Sequence, residues 1–88
     1  MKSLHIKVYG HVQGVGFRFY TQQLANKYNI TGTVQNVNDY VEIFATGDNQ
    51  SLETFSDKVI RGASPISLVG SYEMIEIPLQ EHKRFKTI

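Results

Sequence analysis

The chain begins with a strict alternation of apolar and polar side chains. Leu4, Ile6 and Val8 are separated by the polar residues His5 and Lys7. A period of two is typical of a β-strand that buries one of its faces. The pattern therefore predicts a first strand with three buried side chains.

A helical period follows a stretch that is rich in glycine. Apolar and aromatic side chains now recur at spacings of three and four residues, at Phe17, Tyr20, Leu24, Ala25 and Tyr28. Such spacing gives a helix one apolar face. We predict a first helix from about Phe17 to Tyr28 that packs against a sheet.

A hairpin and a second helix are predicted next. Asn36, Asn38 and Asp39 supply turn chemistry between Val34 and an alternating run that starts at Val41. The second helix is indicated by an N-cap candidate at position 48 or 49, a C-cap glycine at position 62 and an apolar stripe between them. The stripe consists of Leu52, Phe55 and Val59.

The rest of the chain has the character of strands. Within residues 66–77 the alternation breaks, because Tyr72 and Met74 differ in parity from Ile75, and we expect a bulge or bend as the cause. Residues 85–88 are expected to add a short edge strand. The order strand, helix, strand, strand, helix, strand predicts a ferredoxin-like α+β sandwich (βαββαβ), in which two helices cover one face of an antiparallel sheet.

Length and composition limit the class of protein. The 88 residues are 41% hydrophobic and 19% charged, and none is cysteine. A chain of this size forms one domain, here residues 1–88, and its ordinary composition argues against disorder. The lack of cysteine excludes a disulfide framework and the cysteine-dependent phosphatases. Since no stretch is apolar enough to cross a bilayer, we expect a soluble, cytoplasmic monomer that does not bind membranes.

Charge is unevenly distributed, although the formal net charge is only +1. Four cations and no acidic residue precede Asp39, whereas eight acidic residues from Asp39 to Glu81 are accompanied only by Lys58 and Arg61. The chain then ends with three more cations, Lys83, Arg84 and Lys86. This distribution favours a small anionic ligand for the N-terminal part and argues against a nucleic acid.

The candidate chemistry lies in the stretch Gly10–Arg18, between the first strand and the first helix. Its three glycines permit torsions that other residues avoid, so that main-chain N–H groups can converge on an anion. The following helix N-terminus attracts negative charge as well. Arg18 opposes the helix dipole there unless an anion lies close to it. A glycine-rich turn that only connects two elements remains the alternative interpretation.

Two common nucleotide-binding motifs are excluded at this loop. No Gly-Lys-Ser/Thr follows, as a P-loop would require, and Phe19 stands where a dinucleotide fingerprint has its third glycine. The spacing of the three histidines also matches no metal-ligand pattern. These are His5, His11 and His82.

The loop and the hairpin together resemble the signature of the acylphosphatase family. Two blocks about eighteen positions apart carry the resemblance, which covers essentially the whole chain. The blocks are Gly10-x-Val12-Gln13-Gly14-Val15-Gly16-Phe17-Arg18 and Gly32-x-Val34-x-Asn36-x-x-Asp39, the latter followed by Val41-Glu42. Two correctly spaced blocks are more specific than one glycine motif.

The resemblance implies an activity and a set of site residues. The activity is hydrolysis of a small-molecule acyl phosphate to a carboxylate and inorganic phosphate, without a metal or cofactor, and phosphate or sulfate would also bind. Arg18 would bind the phosphoryl group, and Asn36 would orient the attacking water. The main-chain N–H groups that would hold the phosphoryl oxygens belong to Gln13, Gly14, Val15, Gly16 and Phe17.

The chain departs from the family pattern at two positions. The hairpin sequence Asp39-Tyr40-Val41 lacks the usual glycine and is one residue shorter, which leaves the turn geometry open. His11 stands where a basic residue is common.

Two other functions share features with this sequence. An RNA-recognition module has a compatible strand order, but its aromatic motif belongs on the third strand and not at Gly14–Phe19. A phosphate-sensing domain without turnover would share Arg18 and the loop, so only an assay separates it from an enzyme.

Overall fold

The computed structural model describes all 88 residues and contains five strands and two helices. In chain order these are β1 (Lys2–His11), α1 (Phe17–Lys27), β2 (Thr31–Val37), β3 (Tyr40–Gly47), α2 (Asn49–Ile60), β4 (Leu68–Ile77) and β5 (Phe85–Thr87). The predicted order of elements is confirmed. The first helix ends one residue earlier than predicted.

The strands form one sheet in the order β4-β1-β3-β2-β5. Strands β1 to β4 pair antiparallel, but β5 runs parallel to β2. The expectation of a wholly antiparallel sheet is therefore wrong at this edge. Residues 78–84 cross one end of the sheet, where Gln80 bonds with both Ser3 and Thr46. As a result β5 starts at the same end as β2.

The core lies between the sheet and the two helices. The inward side chains of β1 are buried as predicted, and they pack with those of β2, β3 and α2. On α1 the buried residues are Phe17, Thr21 and Ala25, whereas Tyr20 is exposed. The prediction that Tyr20 belongs to the apolar face is thus wrong, because an i, i+4 stripe that starts at Phe17 places position 21 inward.

Strand β4 contains a bulge, as predicted, but the bulge is not the cause of the broken alternation. The bulge is at Gly70, since Tyr9 pairs with Ser71 and Gly10 pairs with Val69. Pairing with β1 is regular between Tyr72 and the end of β4. The alternation fails there because β4 is an edge strand that is exposed on both faces.

The β2–β3 hairpin has a two-residue turn at Asn38 and Asp39. Asn38 adopts a left-handed φ of 51°, a conformation that asparagine tolerates better than most residues. The turn therefore closes without the usual family glycine. Its register places Asn36 of β2 opposite Val41 of β3.

Candidate active site

The loop between β1 and α1 is anchored by its apolar side chains. Val12, Val15 and Phe17 are buried in the core, while Gly14 and Gly16 are exposed. The two glycines have φ values of 73° and 77°, and the residue between them is not left-handed. Torsions that alternate in this way turn successive N–H groups toward one concave surface.

The N–H groups of this loop are free to bind a ligand. From Val12 to Phe19, no main-chain N–H donates a hydrogen bond to another protein atom. Helix α1 has no side-chain N-cap and no acidic residue in its first turn. The loop and helix N-terminus therefore present a row of unpaired donors together with the positive end of a helix dipole.

A cavity of about 370 Å³ lies at this loop and collects residues from three separate elements. It is lined by Val12, Gly14, Gly16, Phe17, Arg18, Phe19, Gln22, Asn36 and Thr87. The structure thus brings the two expected catalytic residues together at the expected loop. Gln13 and Val15, two of the residues expected to bind phosphate through their main-chain N–H groups, do not line the cavity.

Arg18 borders the cavity from the first turn of α1. Its Nη1 donates a hydrogen bond of 3.0 Å to the main-chain oxygen of Ile88, which holds the side chain in place. No Asp or Glu side chain forms an ion pair with it. The remaining N–H groups of the guanidinium are therefore available to an anion in the cavity.

Asn36 reaches the cavity from β2. It shares the helix-facing side of the strand with Val34, two residues earlier, which is fully buried. The Asn36 Oδ1 atom is also buried and has no hydrogen-bond partner in the protein. Buried polar atoms without a partner are rare, so Asn36 has an unused hydrogen-bond acceptor next to the cavity that this residue lines.

The side chain of Gln13 connects the loop to the hairpin. Its Nε2 donates to the main-chain oxygens of Asn38 and Tyr40, both at 3.0 Å. These two bonds fix the turn that follows Asn36 relative to the loop that carries the free N–H groups. The sequence indicated Gln13 only through its main chain, and no pattern predicted this contact.

Four further cavity residues were not predicted as part of the site, namely Val12, Phe19, Gln22 and Thr87. Phe19 and Gln22 are three positions apart on α1, so helical spacing could have placed them beside Arg18. Thr87 comes from β5, and its hydroxyl donates to the side-chain oxygen of Gln22. No local pattern indicates Thr87, because the long crossing before β5 determines its position.

The remaining titratable groups lie elsewhere. His5 bonds with Glu42 at 2.8 Å and His82 with Gln80 at 3.3 Å, while His11 is exposed. The three histidines do not meet, and no group of three or more His, Asp or Glu side chains could hold a metal ion. No helix is long and apolar enough to span a membrane.

The structure is a small α+β sandwich with a cavity at the loop between its first strand and first helix. A family model described as Acylphosphatase matches residues 4–87. The chain therefore belongs to the acylphosphatase family, which confirms the resemblance and the predicted ferredoxin-like fold.

Individual relatives match over nearly their full length. An acylphosphatase from Staphylococcus haemolyticus is 57% identical over 89 residues, which cover all of both chains. One from Staphylococcus aureus strain Newman is 54% identical over 81 residues, covering 92% of this chain and 91% of that protein. The crystal structure of acylphosphatase from Bacillus subtilis is 40% identical with a TM-score of 0.94, and the match covers 100% of this chain and 99% of that one.

Proposed function

We propose that this chain hydrolyses acyl phosphates and that the 370 Å³ cavity is its active site. One observation carries the proposal: Asn36 and Arg18 line the same cavity as a loop whose main-chain N–H groups have no partner in the protein. A site of this kind offers an anion clamp and a separate acceptor for water. The family that the chain belongs to supports the same reaction.

Binding of the phosphoryl group uses Arg18 and the loop. Hydrogen bonds to a charged group typically contribute about 1.5–3 kcal/mol each. Several N–H groups and one guanidinium can therefore offset the local repulsion between Arg18 and the helix dipole, which is on the order of 0.3–1 kcal/mol. In this proposal the donors from Gln13 to Phe17 contact the phosphoryl oxygens.

Asn36 positions the nucleophile. Its Oδ1 accepts a hydrogen bond from a water molecule, so that the water oxygen is directed at phosphorus. The new oxygen–phosphorus bond forms as the bond between phosphorus and the acyl oxygen breaks. The electron pair of the broken bond leaves with the carboxylate, and one proton of the water stays on the new phosphate oxygen. Because an amide is not a base, a phosphoryl oxygen or solvent receives the other proton.

The proposed reaction uses no metal or cofactor. A carboxylate is a stable leaving group, so its departure requires neither a Lewis acid nor a general acid. Phosphoryl transfer then depends mainly on alignment and on stabilising the charge of the equatorial oxygens. Arg18 and the loop N–H groups increase the rate if they bind those oxygens more strongly in the transition state than in the substrate.

A kinetic assay in excess chelator tests these roles. We expect the native chain to hydrolyse benzoyl phosphate. Arg18→Ala should weaken substrate binding and lower kcat by about 10²–10³. Asn36→Ala should mainly lower kcat, by about 10². Arg61→Ala and Asn26→Ala remove an exposed arginine and an exposed asparagine outside the cavity and serve as matched controls.

Three results would contradict the proposal. Native-level kcat in a folded Arg18 or Asn36 variant would remove that residue from the mechanism. Loss of activity in chelator that returns with added divalent metal would remove metal independence. Phosphate binding without any turnover would indicate an anion-sensing domain instead.

We also propose that the chain acts as a monomer, because a single chain is sufficient to bring the loop, Arg18 and Asn36 to one cavity. Light scattering on active protein should give the mass of one chain. A stable dimer as the active form would contradict this.

A further inference from the structure

Phe19 is an apolar side chain at the cavity that phosphate binding does not explain. It lies in the first turn of α1 beside Arg18, lines the cavity and is 59% exposed. The phenyl ring offers an anion neither a positive charge nor a hydrogen-bond donor. Because it is largely exposed, it also adds little to the protein core. Its location therefore calls for a ligand group other than the phosphoryl group.

The other apolar side chains of the cavity cannot contact that group extensively. Val12 and Phe17 are only 1% and 2% exposed, because both belong to the core. Gln22 and Thr87 are polar and hydrogen-bonded to each other. Phe19 is thus the one apolar side chain of the cavity with surface available to a ligand.

The Phe19 ring is held in a defined orientation. It packs edge-on against Tyr20, with ring centroids 5.4 Å apart and an interplanar angle of 90°. The Tyr20 ring in turn lies over Gly16, since a Cβ on that glycine would be 3.5 Å from the ring. The anion loop, Tyr20 and Phe19 therefore form a continuous contact, and little ordering is needed when a ligand covers Phe19.

We propose that Phe19 binds the acyl group of the substrate and determines its class, favouring aromatic acyl phosphates over acetyl phosphate. This inference rests on the proposed function. If the loop and Arg18 hold the phosphoryl group, the acyl carbon is only one bridging oxygen away, so the acyl group must leave the cavity past its rim. An aromatic acyl group can pack on the Phe19 ring, whereas a methyl group covers little of it.

The test compares kcat/KM for benzoyl phosphate and acetyl phosphate. We expect Phe19→Ala to reduce the ratio of the two values by about tenfold, through loss of the aromatic substrate alone. Phe19→Leu should retain part of the preference, because it keeps apolar area without a ring. Tyr72→Ala removes an exposed ring on β4, outside the cavity, and should leave the ratio unchanged.

Inhibition by inorganic phosphate reports on the phosphoryl-binding part of the site alone, without the part that is proposed to bind the acyl group. Phe19→Ala should leave the inhibition constant of phosphate unchanged, because phosphate has no acyl group. An unchanged ratio of kcat/KM values, or an equal loss for both substrates, would overturn the role of Phe19 while leaving hydrolysis intact. If the native chain hydrolysed neither substrate, the proposed function itself would fail.

Discussion

At the scale of a single residue, the side chain of Gln13 can influence the reaction without contacting the reacting groups. Its two hydrogen bonds hold the main chain at Asn38 and Tyr40, immediately after the strand that carries Asn36. Since Asn36 is proposed to aim a water molecule, a small displacement of the hairpin would affect alignment more than phosphate binding. Gln13 is therefore a positioning residue in this scheme.

We expect Gln13→Leu to lower kcat by about tenfold with little change in KM, because it loosens the hairpin but leaves the loop N–H groups in place. The two lost bonds should also lower the free energy of unfolding by about 1 kcal/mol. Gln35→Leu, at an exposed position of β2, is the control and should change neither quantity. A Gln13→Leu effect confined to KM would contradict the positioning role.

The residues of the site differ in how visible they are in the sequence. Arg18 and Asn36 are predictable because each belongs to a block with fixed spacing, and the structure brings both to one cavity. Phe19 and Gln22 follow from Arg18 by helical geometry, once the exposed face of α1 is known. Thr87 is not predictable, since its place depends on where a distant strand pairs.

At the scale of elements, the two helices begin in opposite ways. Helix α2 is capped by Asp48, whose carboxylate accepts from the Ser51 N–H at 2.9 Å and from the Ser51 hydroxyl at 3.1 Å. Helix α1 starts at the left-handed Gly16 with no side-chain cap. The uncapped end borders the cavity and the capped end does not, so the first terminus is the one proposed to bind a ligand, while the cap stabilises the second.

The cap on α2 gives a dependence of stability on pH. Hydrogen bonds from Ser51 hold the pKa of Asp48 below its ordinary value of 3.8. A carboxyl with a lowered pKa in the folded state stabilises fully above its unfolded pKa, and it loses this contribution as the pH falls through its folded pKa. The free energy of unfolding of the native chain should therefore exceed that of Asp48→Ala above pH 3.8, and the difference should shrink below it.

Urea unfolding at a series of pH values on both sides of this pKa measures the difference. Asp48→Asn is the matched control, because asparagine caps without a charge. The difference between the Asn and Ala variants should stay constant with pH. If the native–Ala difference stayed equally constant in acid, ionisation of Asp48 would not contribute to the cap.

The elements themselves were predictable where local pattern determines them. The alternation in β1 and the cap and apolar stripe of α2 predicted those elements, because neighbouring residues alone decide their period and ends. The orientation of β5 and the exposure of β4 were not predictable. Both depend on the order of strands in the sheet, and residues that are close in sequence carry no information about it.

At the scale of the whole molecule, the structure shows where the cations near the end of the sequence lie. Arg84, Lys86 and Ile88 line one surface depression, and Ile88 is the residue whose oxygen binds Arg18. Through Ile88, this depression, which also includes Lys83 and Glu81, is in contact with the arginine that is proposed to bind phosphate. Cations that border a site raise the local concentration of an anionic substrate, and salt weakens this effect.

This arrangement predicts a salt-dependent kcat/KM. We expect the value to fall by about threefold between about 10 and 200 mM salt, and the double variant Arg84→Gln with Lys86→Gln to be lower at low salt and less sensitive to it. The double variant Lys58→Gln with Arg61→Gln removes the same number of charges from the region of α2, outside the cavity. It therefore distinguishes an effect of where the charges lie from an effect of net charge. It should behave as the native chain does. Equal losses in both double variants would mean that total charge matters and the location of Arg84 and Lys86 does not.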